Sequence, residues 1–260
     1  MIKDTLVIKL GGALIENDAS LNALFDGLSL YLKDNRRSLV LVHGGGCLVD
    51  DLLKGLGLKS EKKKGLRVTP PEHMPYIAGA LAGTANKLMM AKAVQYKMPA
   101  VGLSLADDGM CVVEQMDPEL GSVGAAHPGS ARLLQLLLDN GYMPVVSSIG
   151  IAADGRLMNV NADQAATSIA MSLGADLALL SDVDGILDSR KELITEIDSA
   201  RAAELVAEGV ITGGMEVKVK AALEAAATLG KPVSVAGWKH PEKLSRLLAG
   251  EAIGTRVLAK

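Results

Sequence analysis

Short runs of β-branched and aliphatic residues alternate along the chain with longer stretches whose apolar positions recur every three or four residues, and glycines mark the junctions. This alternation predicts strands feeding helices, an α/β protein on a mainly parallel sheet. TLVIKL at 5–10 and SLVLV at 38–42 are strands that run into glycines, and the amphipathic stretch 21–32 between them completes a β-α-β unit. After Gly44, Gly45 and Gly46 the period becomes helical, with Leu48, Val49, Leu52 and Leu53 on one stripe. The polar segment 59–69 predicts a hairpin or flap. A long helix is expected over 71–96, interrupted at Gly83, followed by a strand over 100–105.

Residues 107–128, rich in Asp and Gly with short alternating segments, predict a small antiparallel excursion. A helix over 131–138, a strand over 143–148 and a hairpin over 151–158 turning on Asp154 and Gly155 come next. Then follow a helix at 162–173, a strand at 177–181, helices at 200–208 and 215–229, a strand at 233–236, and a terminal helix and strand. There is no internal repeat or low-complexity linker. A helix hands over to a strand at Gly174, which divides the chain into two expected lobes, 1–174 and 175–260.

Composition narrows the function classes. The 260 residues are 49% hydrophobic and 22% charged, which suffices for a sizeable core. With aromatics at 2%, a net charge of -3 and a pI near 5.8, stacking platforms and a basic groove are lacking, so nucleic acid is not the expected partner. Cys47 and Cys111 lie far apart without metal-ligand spacing, so neither a zinc site nor a disulfide framework is indicated and a reducing compartment is expected. Lys3, Asp4 and Lys9 interrupt the first apolar run, which is no signal or transit peptide. Gly174 and Asp176 divide the apolar stretch 165–180, so it reads as helix, turn and strand rather than a membrane span. The expectation is a soluble, cytoplasmic protein.

Candidate chemistry gathers where strands end. Lys9, followed by Gly11 and Gly12, closes the first strand at the carboxyl edge where open α/β sheets bind ligands; a lysine ending a strand by chance would look the same. His43-Gly44-Gly45-Gly46 offers consecutive backbone N–H groups at a helix start, a ready anion site, although a tight turn alone would account for part of the glycine run. The pattern is neither a Walker A loop nor Gly-x-Gly-x-x-Gly, which disfavours a P-loop ATPase and a nicotinamide enzyme. His43 reads as structural, because the four histidines are dispersed.

Arg67 in the polar hairpin has the planar fork that clamps carboxylates, whereas Lys62, Lys63 and Lys64 before it read as a solvated edge. Asn161 suits a helix N-cap and Asp163 the helix dipole, which leaves the clustering of Asn159 beside them unexplained. Ser181-Asp182-Val183-Asp184-Gly185-Ile186 ends a second-half strand in a polar loop suited to wrapping a nucleotide. Lys218, in the first turn or so of a helix opened by Gly213 and Gly214, runs against the dipole and suggests an anion to meet.

Taken in order, Lys-Leu-Gly-Gly, Val-His-Gly-Gly-Gly, Gly-Leu-Arg-Val-Thr, Asn-Val-Asn-Ala-Asp-Gln-Ala-Ala, Ser-Asp-Val-Asp-Gly-Ile and Gly-Gly-Met-x-x-Lys resemble the amino acid kinase family, and within it the acetylglutamate kinases. They span Lys9 to Lys218, and no motif position departs from the family pattern. The resemblance implies a three-layer α/β/α sandwich whose lobe 1–174 binds N-acetyl-L-glutamate and dimerises, while lobe 175–260 binds ATP. The implied activity is transfer of the γ-phosphoryl group of ATP to the γ-carboxylate of acetylglutamate, in arginine biosynthesis. Lys9 and Lys218 match the lysines that act on the phosphoryl group, Asp163 the acid that holds them, and Gly12 a glycine whose N–H faces that group. Gly45, Gly46, Arg67 and Asn159 match acetylglutamate contacts. Asp182, Val183, Asp184, Gly185, Ile186 and Leu187, with Val210, Ile211 and Thr212, match the nucleotide lining. Magnesium would arrive on ATP, with no protein metal site. A kinase of another small carboxylate or carbamate, and a non-catalytic nucleotide sensor, are the alternatives; the presence of Lys9, Asp163 and Lys218 counts against the sensor. Because the first strand begins by about residue 5, the resemblance also implies a homodimer insensitive to arginine.

Overall fold

From β1 (Thr5–Leu10) the chain passes through α1 (Gly12–Ile15) and α2 (Asp18–Asp34) to β2 (Ser38–His43) and α3 (Gly46–Gly55). A two-stranded flap, β3 (Lys62–Lys63) and β4 (Leu66–Arg67), precedes α4 (Met74–Ala78), a π-helical stretch (Gly79–Ala85), α5 (Asn86–Gln95) and β5 (Ala100–Ser104). β6 (Cys111–Gln115), β7 (Val123–Pro128), α6 (Arg132–Asp139), β8 (Met143–Ser147), β9 (Ile149–Ile151) and β10 (Leu157–Val160) lead to α7 (Ala162–Leu173). The remainder is β11 (Asp176–Ser181), β12 (Glu196–Ile197), α8 (Ser199–Ala207), α9 (Gly213–Leu229), β13 (Val233–Gly237), α10 (Pro241–Leu248) and β14 (Thr255–Val257). The structure, a computed structural model, describes residues 4–34, 37–63, 65–239 and 241–259.

Among these residues the main sheet runs β12-β14-β13-β11-β1-β2-β8-β5. Every pair is parallel except β13 with β14. Side chains alternate across the pleat. Val7, Val40, Val42, Leu177 and Leu179 point to one face and pack with Ile169 of α7 and Ala222 of α9. Ile8, Leu10, Leu41 and Leu180 point to the other, against Phe25 and Leu28 of α2, Met89 of α5 and Leu244 of α10. The result is the expected α/β/α sandwich. β2 lies on one side of β1 and β11 on the other, so the strand order reverses at β1, the place where open sheets leave a crevice at their carboxyl ends.

Several local expectations are corrected. The 71–96 run is not broken at Gly83 but continues through the π-helical stretch, with a 3-10 turn at Pro71–His73 ahead of α4. The antiparallel excursion at 107–128 forms as β6 with β7 and the hairpin at 151–158 as β9 with β10; what was not expected is that β7 pairs parallel with β10, giving one four-stranded sheet in the order β6-β7-β10-β9. That pairing joins segments some 35 residues apart, and no local pattern announces it. On α3, Val49 and Leu53 are buried but Leu52 is 38% exposed, because the helix packs one narrow face against α4 and the π-helical stretch. Lys218 falls in the second turn of α9, which begins at Gly213 rather than Met215. β12 and its edge pairing were not expected. Lys3 and Lys64 lie outside the described residues.

Candidate active site

Lys9 sits on the β1 face that carries Val7, so its ammonium points toward α7 rather than toward α2. There the helix begins with a well-formed cap: Asn161 Oδ1 accepts from the backbone N–H of Asp163 at 2.8 Å and of Gln164 at 3.3 Å. The cap fixes Asp163 in the first turn, and its carboxylate stands 3.0 Å from Lys9 Nζ. Of the two lysines expected on Asp163, this is the one it pairs with. Lys218 is held elsewhere, by the Asp182 carboxylate and by Ser181 Oγ at 2.9 Å, both at the end of β11. The Lys218 ammonium keeps the Asp182 carboxyl below the usual carboxylate range.

Two cavities meet at this point. One, of about 250 Å³, is lined by Gly45, Gly46, Arg67 and Asn159, the four residues matched to the acid substrate, together with Lys9, Gly12 and Asp163. The other, of about 290 Å³, is lined by Asp182, Lys218 and Trp238, again with Lys9, Gly12 and Asp163. Lys9, Gly12 and Asp163 therefore form the shared wall. The two glycine loops abut there, since a Cβ on Gly12 would lie 3.5 Å from Gly46 N.

The first cavity is shaped from several directions. Gly45 has φ +151, and a side chain there would come within 3.0 Å of Leu81 on the π-helical stretch, so the loop and that stretch pack backbone against side chain. π-helical turns often mark functional sites. Below the loop, His43 and Asn86 are buried. The His43 ring donates from Nδ1 to the Gly44 carbonyl at 2.8 Å and accepts at Nε2 from Asn86 Nδ2 at 3.1 Å. Burial holds the imidazole neutral, with its pKa lowered to about 4, in keeping with a structural role. Asn159 Nδ2 donates to Thr69 Oγ1 at 3.1 Å, tying β10 to the end of the flap. Arg67 reaches across from the flap to α3 and the segment that follows it, where the Asp50 carboxylate and the Gly46 carbonyl of the helix and Ser60 Oγ beyond it accept from it.

The rest of the matched nucleotide segment is placed differently. Asp182 lines the second cavity, whereas the side chains of Ile186 and Ile211 are buried in the core, and Leu187 is 41% exposed. The backbone N–H of Ile186 donates to Thr255 Oγ1 at 2.8 Å, and Lys243 pairs with Asp184 at 2.6 Å, so this loop is tethered to β14 and α10. Val183, Gly185, Val210 and Thr212 are not among the residues lining either cavity. Sequence reasoning missed Asp50 and Trp238, neither of which carries a motif signal. It also read Lys62 as a solvated edge, whereas Lys62 lines the first cavity and pairs with Asp50 at 3.2 Å. Among the described residues no group of three or more His, Cys, Asp or Glu is placed to hold a metal ion, and no helix is long and apolar enough to cross a membrane.

The family model described as the amino acid kinase family matches residues 4–237. The acetylglutamate kinase of Aeromonas salmonicida is 65% identical over 257 residues, covering 99% of both chains. That of Serratia proteamaculans is 57% identical, covering 98% of this chain and 99% of the relative. Among solved structures, a Streptococcus mutans protein superposes with a TM-score of 0.78 at 26% identity over 99% of both chains. The N-acetylglutamate synthase of Neisseria gonorrhoeae shares the fold at a TM-score of 0.82 and 24% identity, over 99% of this chain and 60% of that one.

Proposed function

This chain belongs to the amino acid kinase family, and from that premise we propose how its two cavities carry out the reaction. It is an ATP-using enzyme that phosphorylates the γ-carboxylate of N-acetyl-L-glutamate, in arginine biosynthesis, as its acetylglutamate kinase relatives are named. The observation that carries the assignment of roles is the shared wall: Lys9, Gly12 and Asp163 border both cavities.

The acid occupies the first cavity, with the Arg67 guanidinium, the Asn159 amide and the N–H groups of Gly45 and Gly46 around its polar groups. ATP occupies the second, its phosphates toward Lys9, Lys218 and Gly12, in a lining to which Asp182 contributes; the loop 182–187 and residues 210–212 are proposed to border the nucleotide through backbone atoms where their side chains face the core. On this reading the lobe 1–174 takes the acid and the lobe 175–260 the nucleotide.

A glutamyl side chain, with a pKa near 4.3, is already anionic at neutral pH, so no general base is required. One carboxylate oxygen forms the new bond to the γ-phosphorus while the bond to the β–γ bridging oxygen breaks, leaving acetylglutamyl phosphate and ADP. The obstacle is repulsion between anions. Lys9 and Lys218 neutralise charge on the transferring group and the bridging oxygen, and the Gly12 N–H donates to it. Asp163 orients Lys9 and leaves two of the ammonium's three N–H donors for the phosphoryl oxygens. Magnesium, borne by the phosphates, supplies further charge neutralisation; a cavity carrying only the carboxylates Asp163 and Asp182, each held by a lysine, suits a metal that arrives with the nucleotide.

A cytoplasmic homodimer completes the reading. Val94, 74% exposed, lies on α5, which packs beside β5, the terminal strand of the main sheet among the described residues, and supports a partner surface there. The deciding experiment traps the acyl phosphate with hydroxylamine, offering acetylglutamate, glutamate, aspartate and carbamate in parallel. Product from acetylglutamate alone, lost in Lys9→Ala and Lys218→Ala, is expected. Product only from another acid would overturn the proposed roles of Arg67 and Asn159.

A further inference from the structure

Arg67 is placed to meet the acid substrate, yet an arginine on a two-stranded flap has no intrinsic reason to hold still. Its backbone lies in β4, which pairs only with β3 among the described residues. Its side chain is nevertheless only 8% exposed, and what confines it is α3. Nη1 donates to the Asp50 carboxylate and to Ser60 Oγ, while Nη2 donates to the Gly46 carbonyl at 2.8 Å. A guanidinium has five N–H donors in one plane. Three fixed bonds define that plane, and two donors remain for an incoming anion.

Asp50 is the centre of the arrangement. Its Oδ1 also accepts from Ser60 Oγ at 2.6 Å, and its Oδ2 faces Lys62 Nζ at 3.2 Å. One carboxylate thus ties together α3, residue 60 and both strands of the flap. The Arg67 guanidinium holds the Asp50 carboxyl far below the usual carboxylate range, with Ser60 and Lys62 adding to the effect. α3 begins at the glycine loop, so the same helix that presents the Gly45 and Gly46 N–H groups also carries the carboxylate that aims Arg67.

We propose that Asp50 is a positioning residue for the acid substrate: it holds the Arg67 guanidinium over the first cavity, in register with the Gly45–Gly46 loop, without touching the substrate itself. The proposal rests on the assignment of Arg67 to acetylglutamate made above. Its opposite is equally concrete. If Asp50 instead occupied the guanidinium in competition with substrate, it would act as an internal inhibitor, and removing it would improve binding.

The two cases differ in sign. For Asp50→Asn and Asp50→Ala, steady-state kinetics by hydroxamate trapping should show KM for acetylglutamate raised by about tenfold or more, as loss of a charge-assisted bond implies. kcat and KM for ATP should stay within about twofold, since neither the lysines nor the nucleotide cavity is disturbed. Asp50→Glu, which keeps the charge, should recover part of the loss. A purely structural role would lower the melting temperature and the active fraction while leaving KM for the acid in place, and that result overturns the proposal, as does a lowered KM. Arg67→Lys is the control that separates the two readings. A raised KM there with an unchanged KM in Asp50→Asn sinks the positioning role alone; an unchanged KM in Arg67→Lys sinks the assignment of Arg67 and the proposal with it.

Discussion

Lys9 and Asp163 meet at 3.0 Å where the end of β1 faces the first turn of α7, on the wall that both cavities share. Their side chains are 19% and 25% exposed, so the pair is weakly screened and well oriented. By analogy with the removal of an oxyanion donor, Lys9→Ala should lower kcat by about 10² to 10³. Asp163→Asn, which leaves the lysine in place but less well aimed, should cost less, about tenfold. Initial rates at saturating ATP and acetylglutamate check both, and equal losses in the two variants would contradict the separate roles.

Gly45 offers a test of the acid loop. Its φ of +151 disfavours any residue with a side chain, and a Cβ there would stand 3.0 Å from the Leu81 side chain, which would have to give by a few tenths of an ångström. Gly45→Ala should therefore destabilise the protein by about 1–3 kcal/mol and raise KM for acetylglutamate more than KM for ATP. Denaturant titration and substrate-saturation curves measure the two effects. A variant with unchanged stability would show that the loop relaxes freely.

His43 should impose a pH dependence on stability. The ring is held neutral by burial, with its pKa lowered to about 4, whereas unfolding releases it to a value near 6.5. Between those values the unfolded chain binds the extra proton, so stability falls as pH drops from about 6.5 to about 4, by roughly 3 kcal/mol in all. Urea midpoints across this window should decline more steeply for the parent than for His43→Gln. Parallel lines for the two proteins would refute the assignment.

Asp182 predicts a lower window. Its carboxyl is held below the usual range by Lys218, so its contribution is present above the ordinary carboxylate pKa near 3.9 and is lost as pH falls below it. The pair is about half exposed, which makes the effect on stability small. The larger consequence is functional: Asp182→Asn should remove the ion pair on Lys218, leaving its hydrogen bond to Ser181 Oγ, and alter KM for ATP without changing KM for acetylglutamate. Saturation with each substrate in turn distinguishes the two.

What the sequence by itself determined follows from local chemistry. β1, β2 and β11 were legible because parallel strands buried on both faces are continuous aliphatic runs, and α7 because Asn161 caps it and Gly174 ends it at φ +61. Lys9, Gly45, Gly46 and Lys218 stood out because glycines and charges gather where strands give way to helices, whereas Arg67 and Asn159 drew their expected roles from the family resemblance. Tertiary structure alone decided which of those residues face one another. It paired Lys9 with Asp163 but Lys218 with Asp182, and joined β7 to β10 across the flap's neighbour sheet. It also turned Asp50, one of two adjacent acids on α3, into the partner of Arg67 17 residues away. A side chain's type and its immediate neighbours set what it can do. The partner it meets is fixed by the register of strands and the facing of helices distant in the chain, and no local pattern contains that information.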